Sequence, residues 1–155
     1  MGCVSGENDF TTCEKHLDRV SRTFAVNIRV LRGDVYRSIL LAYLLFRIAD
    51  TIEDEPSLEA VAKIDYLATY EDLFPPGRDW REKVDRFTAS LAVGGKGADI
   101  ELLFDTPRVF REFVRLPADA VSVISERVRE TARGMATFQR KATGNGAVVL
   151  EDRKE

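Results

Sequence analysis

Four polar side chains on one predicted helix carry the pattern best suited to chemistry. Tyr43, Arg47, Asp50 and Asp54 are separated by four, three and four positions, which places them on one face of an α-helix. The helix around them is otherwise apolar on nearly every side, and such a helix is normally buried. Because buried charges are costly unless they are paired or bind a metal, this polar stripe predicts one of those two arrangements.

The end of this helix gives a second indication of a bound cation. Asp50, Glu53, Asp54 and Glu55 crowd its last turns without a lysine or arginine beside them, although the helix dipole disfavours carboxylates there by roughly 0.3–1 kcal/mol each. Carboxylates four residues apart can share a metal, and magnesium takes one or two of them and completes its shell with water and phosphate oxygens. We therefore predict that Asp50 and Asp54 hold Mg²⁺ against a diphosphate whose hydrocarbon tail occupies an apolar cavity. The alternative is a solvated acidic helix end in which Arg47 pairs with Asp50.

Two other segments give weaker indications. Ser21 and Arg22 present a hydroxyl and a guanidinium beside an apolar helix stripe, and arginine binds phosphate oxygens bidentately, although a surface arginine is the alternative. Gly134 in a helix interior costs about 1 kcal/mol relative to alanine, which indicates close approach of either another helix or a ligand. Met135 beside it would give a soft wall for an apolar chain. His16 has no visible partner and is interpreted as a surface or helix-flank residue.

The elements that must position these residues are all predicted to be helices. No strand-like alternation persists beyond a few residues, so the predicted fold class is all-α. Thr11 and Glu14 suit a capping box at the start of the first helix, Gly33 is predicted to end it, and Pro56 to stop the second. The predicted helices span residues 11–33, 34–54, 58–73, 80–91, 98–104, 107–114 and 118–141, the last preceded by Pro117.

Composition suits one soluble domain of 155 residues, with 45% hydrophobic and 32% charged residues. Residues 1–10 are expected to be disordered, and residues 94–97 lack the pattern of a phosphate-binding loop and predict a flexible turn. The net charge of -3 argues against nucleic acid as a partner. Cys3 and Cys13 fit no metal or disulfide pattern, and no signal peptide or membrane span is evident. The expected location is cytoplasmic, with peripheral membrane contact left open.

Three stretches, in this order along the chain, resemble the squalene/phytoene synthase family. The second is the most specific and is closer to the squalene synthases. The resemblance extends from about Cys13 to Phe138. The stretches are Val20-Ser21-Arg22-Thr23-Phe24-Ala25, Tyr43-Leu44-Leu45-Phe46-Arg47-Ile48-Ala49-Asp50-Thr51-Ile52-Glu53-Asp54 and Gly134-Met135-Ala136.

The resemblance implies an isoprenoid synthase fold around a central cavity. It also implies head-to-head (1′–1) condensation of two prenyl diphosphates, with farnesyl diphosphate as the expected substrate and squalene or a related C30 compound as the product. By that resemblance Asp50 and Asp54 bind Mg²⁺, while Tyr43 and Arg47 orient the diphosphate and the nascent cation. NADPH would be the reductant if the product is squalene.

The same resemblance assigns substrate contacts outside the acidic motif. Ser21 and Arg22 would lie in a segment that folds over the substrate, and Phe24, Gly134 and Met135 would line the prenyl channel. Members of the family are about twice as long and carry a second aspartate-rich motif, so this chain is expected to be an N-terminal half that needs a C-terminal half or a partner subunit. The alternatives are a non-catalytic helical module that binds a prenyl diphosphate or a partner chain, and a plain structural bundle.

Overall fold

Helices form the regular elements of residues 8–144, the part of the chain that the computed structural model describes. Within this part eight α-helices follow one another without a strand, so the predicted all-α class is confirmed. In chain order they are α1 (Asp9–Val20), α2 (Arg22–Ile28), α3 (Gly33–Asp54), α4 (Ala60–Glu71), α5 (Trp80–Ser90), α6 (Ala98–Phe104), α7 (Thr106–Phe113) and α8 (Ala118–Gly144).

α3 lies at the centre of the helices because apolar side chains occupy nearly every side of it. It contacts α1, α2, α4, α6, α7 and α8, and Leu40, Leu44 and Ile48 are fully buried. Burying each such side chain is worth roughly 1.5–3 kcal/mol. The hydroxyl of Tyr70 on α4 donates to the Leu45 carbonyl at 2.9 Å, so the two helices are joined by a buried polar contact as well as by packing. The acidic end of α3 is thereby held on a rigid support.

The last helix, α8, packs mainly along α4 and also contacts α3. Its Ile124 and Val128 are buried, whereas Phe138, on the same apolar face of α8, is 58% exposed, and Val61 on α4 is 62% exposed. A regular apolar spacing therefore does not specify which of its members meet a neighbour in the described part of the chain. None of the helices within residues 8–144 is both long enough and apolar enough to cross a bilayer.

The predicted first helix is in fact two helices separated at Ser21. The backbone of Ser21 is extended, with φ −159° and ψ 92°, and its Oγ accepts a hydrogen bond from the Phe24 amide at 3.2 Å. Serine caps helices well because its hydroxyl replaces a missing backbone acceptor. The apolar spacing continued across this break, which is why the sequence predicted one helix.

The boundaries of α1 and α3 also differ from the predictions. The side chain of Asn8 caps α1 by accepting from the Thr11 amide at 2.8 Å, so the predicted capping box of Thr11 and Glu14 was wrong. Asp9 and Phe10 are therefore helical, whereas residues 1–7 of the segment expected to be disordered lie outside the described residues. Gly33, with φ +58°, begins α3 instead of ending the preceding helix.

Candidate functional site

The acidic end of α3 lines a cavity of about 250 Å³. Arg47, Asp50 and Asp54 meet there, as their spacing predicted, while α6 and the segment before it supply the opposite wall. Four carboxylates and two cationic side chains line the cavity, so its charge is negative overall and favours a cation. The lining residues are Arg47, Asp50, Thr51, Asp54, Glu55, Pro56, Lys96, Asp99 and Ile100.

Arg47 is held in the cavity by a residue from a distant part of the chain. Its Nε and Nη2 donate to the two carboxylate oxygens of Asp99 at 2.9 and 3.4 Å. The hydrogen bond to Asp99 is the main reason that the pKa of Arg47 is raised. The sequence left open an ion pair between Arg47 and Asp50 on the same helix. In the structure Arg47 pairs with Asp99 instead. Three of the five guanidinium N–H groups stay available for another acceptor.

Asp50 and Asp54 have no ion-pair partner within residues 8–144. Burial is the main cause that raises the pKa of Asp50 above its usual value, and the negative charge of Asp54 raises it further, whereas Arg47 acts in the opposite direction. The two carboxylates repel each other and have no cation between them, and a bound metal ion would stabilise such a pair.

Glu53, between these aspartates in sequence, has different neighbours. Its carboxylate lies near Lys63 of α4 and Gln139 of α8, and both lower its pKa. Burial raises the pKa of Glu53 most, and repulsion from Asp54 and Asp50 raises it further. Because these effects outweigh those of Lys63 and Gln139, the pKa of Glu53 is raised overall. No group of three or more histidine, cysteine or acidic side chains suited to a metal occurs within residues 8–144. Asp50 and Asp54 thus do not belong to a group of three such side chains in this part of the chain.

Tyr43 and Phe24 lie together outside the wall of this cavity. Their ring centroids are 4.4 Å apart and the rings are tilted by 35°. Both side chains are half-buried and pack against the hydrophobic core. The structure therefore brings the predicted diphosphate residue Tyr43 next to the predicted channel residue Phe24, one helical turn from Arg47.

Ser21 and Arg22 lie apart from the acidic cavity. Arg22 is exposed and lines a separate open concavity of about 660 Å³ with Asp18, Arg19, Val20 and Ala98. Ser21 caps α2, as described above. The structure thus gives Ser21 a local structural role and does not bring Arg22 to the cavity that contains Asp50.

Gly134 and Met135 differ from each other in their surroundings. A Cβ atom on Gly134 would have no neighbouring heavy atom within 4 Å, and the residue is exposed. The alternative that close helix packing explains this glycine was therefore wrong for the described residues. Met135 is half-buried and packs against the core.

Several residues important to the site were not identified from sequence. Lys96 and Asp99 complete the cavity, yet nothing in their local sequence indicates that they approach Arg47.

The interpretation of His16 as a surface residue was also wrong, since it is buried and its Nε2 lies 2.7 Å from a carboxylate oxygen of Asp105. These pairs are separated by tens of residues in sequence, beyond the reach of helical periodicity.

Comparisons with known proteins agree with this architecture. A sequence profile described as squalene/phytoene synthase matches residues 17–154. Squalene synthase of Mus musculus is 35% identical over 128 residues, and that of Rattus norvegicus is 33% identical over 135 residues. The structure of TcSQS in complex with the ligand E5700 superposes with a TM-score of 0.70 at 30% sequence identity.

The chain spans only part of each of these proteins. The match covers 82% of this chain but 28% of the mouse protein, and 86% of this chain but 30% of the rat protein. For TcSQS the shares are 84% of this chain and 35% of the solved chain. The similarity thus concerns about a third of each relative.

Proposed function

Since the chain belongs to the squalene/phytoene synthase family, we propose that it takes part in the head-to-head condensation of two prenyl diphosphates. Farnesyl diphosphate is the proposed substrate, and squalene or a related C30 compound the proposed product. One observation carries the proposal: Arg47, Asp50 and Asp54 line a single cavity at the end of a buried helix. Such an arrangement suits a ligand with a charged head and an apolar tail.

Asp50 and Asp54 are the proposed ligands of Mg²⁺. Their carboxylates lack cationic partners within the described part of the chain, and the cavity is negative overall, so a divalent cation would relieve their repulsion. Two protein carboxylates are enough, because magnesium usually keeps water and phosphate oxygens as its other ligands. When bound, the metal would stabilise the negative charge that develops on the departing diphosphate.

Arg47 and Lys96 are the proposed partners of the diphosphate oxygens. Asp99 fixes two guanidinium N–H groups of Arg47 and leaves three for the ligand. The ammonium of Lys96 adds a second positive charge from the opposite wall. Donors that are already oriented stabilise developing charge without a further reorganisation cost.

The prenyl chain is proposed to lie against the apolar surface beyond the cavity. Phe24 and Tyr43 contact each other and, like Met135, are half-buried against the core. Apolar side chains of this kind would keep water from an allylic cation. The substrate contacts predicted for Ser21, Arg22 and Gly134, and the use of NADPH, stay predictions. So do peripheral membrane contact and the need for a further half or partner subunit.

A second candidate function is binding of a prenyl diphosphate without turnover. The observation that favours it is that residues 8–144 contain no group of three or more metal-binding side chains. A magnesium ion held by two carboxylates can retain a diphosphate, yet departure of that diphosphate needs its charge stabilised more fully.

Two measurements on the 155-residue chain test the proposal. Calorimetric titration with a farnesyl thiodiphosphate, which resists ionisation, should give binding in Mg²⁺ that is lost in EDTA. Incubation with farnesyl diphosphate and Mg²⁺, with and without NADPH, should release diphosphate and form a C30 product if the chain is catalytic by itself. Binding without product would support the second candidate, and equal binding in Mg²⁺ and EDTA would contradict both.

A further inference from the structure

The segment between α5 and α6 is fastened to the helices around it. The hydroxyl of Tyr66 on α4 donates to the Ser90 carbonyl at 2.8 Å and accepts from the Ala92 amide at 2.9 Å. Farther along, the Gly94 amide donates to Ser57 Oγ at 3.0 Å. Residues 94–97, predicted to be a flexible turn, are therefore anchored to the segment that follows α3.

Glu55 makes the closest approach to this segment. It is only 7% exposed, and its Oε2 accepts from the Ser57 amide at 3.1 Å. Its two carboxylate oxygens lie 2.7 and 2.9 Å from the point that a Cβ atom on Gly95 would occupy. A side chain at position 95 cannot fit unless the carboxylate or the segment moves. We call Glu55, Ser57 and Gly95 the loop clasp.

Lys96 follows the loop clasp directly and lines the cavity with Asp50 and Asp54. On its other side Gly97, the residue that directly precedes α6, has φ +112°, a backbone conformation that favours glycine. Two residues later Asp99 binds Arg47. The backbone of Lys96 is therefore fixed on both sides.

From this arrangement we infer that Glu55, Ser57 and Gly95 are positioning residues that hold the Lys96 ammonium against the head group of the ligand. The inference rests on the proposed function, because the ligand is the prenyl diphosphate proposed above. Ordering a free backbone opposes binding because conformational entropy is lost. A loop that is ordered before the ligand arrives does not incur this cost during binding.

Two glycines in the same loop provide a matched test. Gly95→Ala would bring a methyl carbon to 2.7 and 2.9 Å from the two Glu55 carboxylate oxygens, so the carboxylate must shift. A Cβ on Gly94 would meet only Ser57, at 3.5 Å from its Cβ and 3.7 Å from its Oγ, which are ordinary contacts. Ser57→Ala removes the acceptor of the Gly94 amide without adding an atom, so it tests the clasp even if Gly95→Ala unfolds the chain. Circular dichroism checks that each variant folds, and calorimetry measures the affinity for farnesyl thiodiphosphate in Mg²⁺.

We expect Gly95→Ala and Ser57→Ala to weaken binding, the former by about tenfold, as for loss of one hydrogen bond to a charged group. Gly94→Ala should bind like the wild type. In a Lys96→Ala background Gly95→Ala should have no further effect, because the clasp acts through Lys96, whereas a general structural defect would weaken binding again. If Gly95→Ala and Ser57→Ala fold and bind as tightly as the wild type, the inference about the loop clasp is wrong, while the proposed function is unaffected. A wild-type chain that does not bind the analogue would instead contradict the proposed function on which the inference rests.

Discussion

Arg47 on α3 donates to both carboxylate oxygens of Asp99 on α6, at 2.9 and 3.4 Å. The two residues are 52 positions apart in sequence. Because Asp99 takes the guanidinium, Asp50 is left without an ion-pair partner within the described residues. The pair therefore fixes one cationic group in the cavity and leaves the carboxylates of Asp50 and Asp54 without a cationic partner there.

Replacement of Arg47 should affect binding far more than folding. Arg47→Ala removes a charged donor and should weaken binding of farnesyl thiodiphosphate by about 10–100-fold, as for loss of one hydrogen bond to a charged group. The ion pair with Asp99 is partly exposed, so the free energy of unfolding should change by less than about 1 kcal/mol. Arg47→Lys should have an intermediate affinity, since it keeps the charge and loses the forked geometry. Calorimetry and urea unfolding measure the two effects, and a stability loss with unchanged affinity would make the pair purely structural.

Magnesium-dependent binding should weaken as the pH falls. The pKa of Asp50 is raised chiefly by burial and then by Asp54, and a protonated carboxyl is a poor metal ligand. Lowering the pH through this raised pKa should therefore reduce the apparent affinity for Mg²⁺ at a higher pH than an ordinary aspartate would. Titration of Mg²⁺ at constant analogue concentration, at several pH values, measures the profile. A profile that is flat down to the usual aspartate range would contradict the electrostatic account of Asp50.

Asp50→Asn should stabilise the fold while it weakens metal binding. A group whose pKa is raised in the folded state favours folding most below its unfolded pKa, and this contribution is lost as the pH rises through the folded pKa. At neutral pH and without a metal, the charge of Asp50 therefore destabilises the folded state. Asparagine carries no charge at this position, so the variant should be more stable. The expected gain is below about 1 kcal/mol, because solvent screens the partly exposed side chain. Urea unfolding without Mg²⁺ measures it, with Asp65→Asn on the exposed side of α4 as a control.

Ser21 should contribute to stability through its helix cap. Ser21→Ala removes the acceptor of the Phe24 amide and should lower the free energy of unfolding by about 1 kcal/mol. Ser21→Asp keeps a capping oxygen and should retain most of the stability of the wild type. If the hydroxyl also lies near the diphosphate, Ser21→Asp should weaken analogue binding by charge repulsion despite its stability. Equal binding by Ser21→Asp and the wild type would limit Ser21 to capping.

Whether the sequence predicted a structural feature depends on how far apart along the chain the residues that form it are. The polar stripe of Arg47, Asp50 and Asp54 was predicted because one helical period relates its members. The break at Ser21 was missed, because a capping hydroxyl interrupts a helix without disturbing the apolar spacing. The contacts of Asp99 and Lys96 depend on how α6 packs against α3, which no local pattern specifies. The predicted roles of Ser21, Arg22, Phe24, Gly134 and Met135 in binding stay predictions.

Magnesium-dependent binding of farnesyl thiodiphosphate by an aspartate variant tests the central claim most directly. Asp50→Ala combined with Asp54→Ala should reduce affinity in Mg²⁺ by at least about tenfold and should make it equal to the affinity in EDTA. The control is Glu126→Ala combined with Glu130→Ala, two exposed carboxylates with the same spacing on α8, which should bind like the wild type. Magnesium-dependent binding that survives the loss of both aspartates would contradict the assignment of the metal site to Asp50 and Asp54.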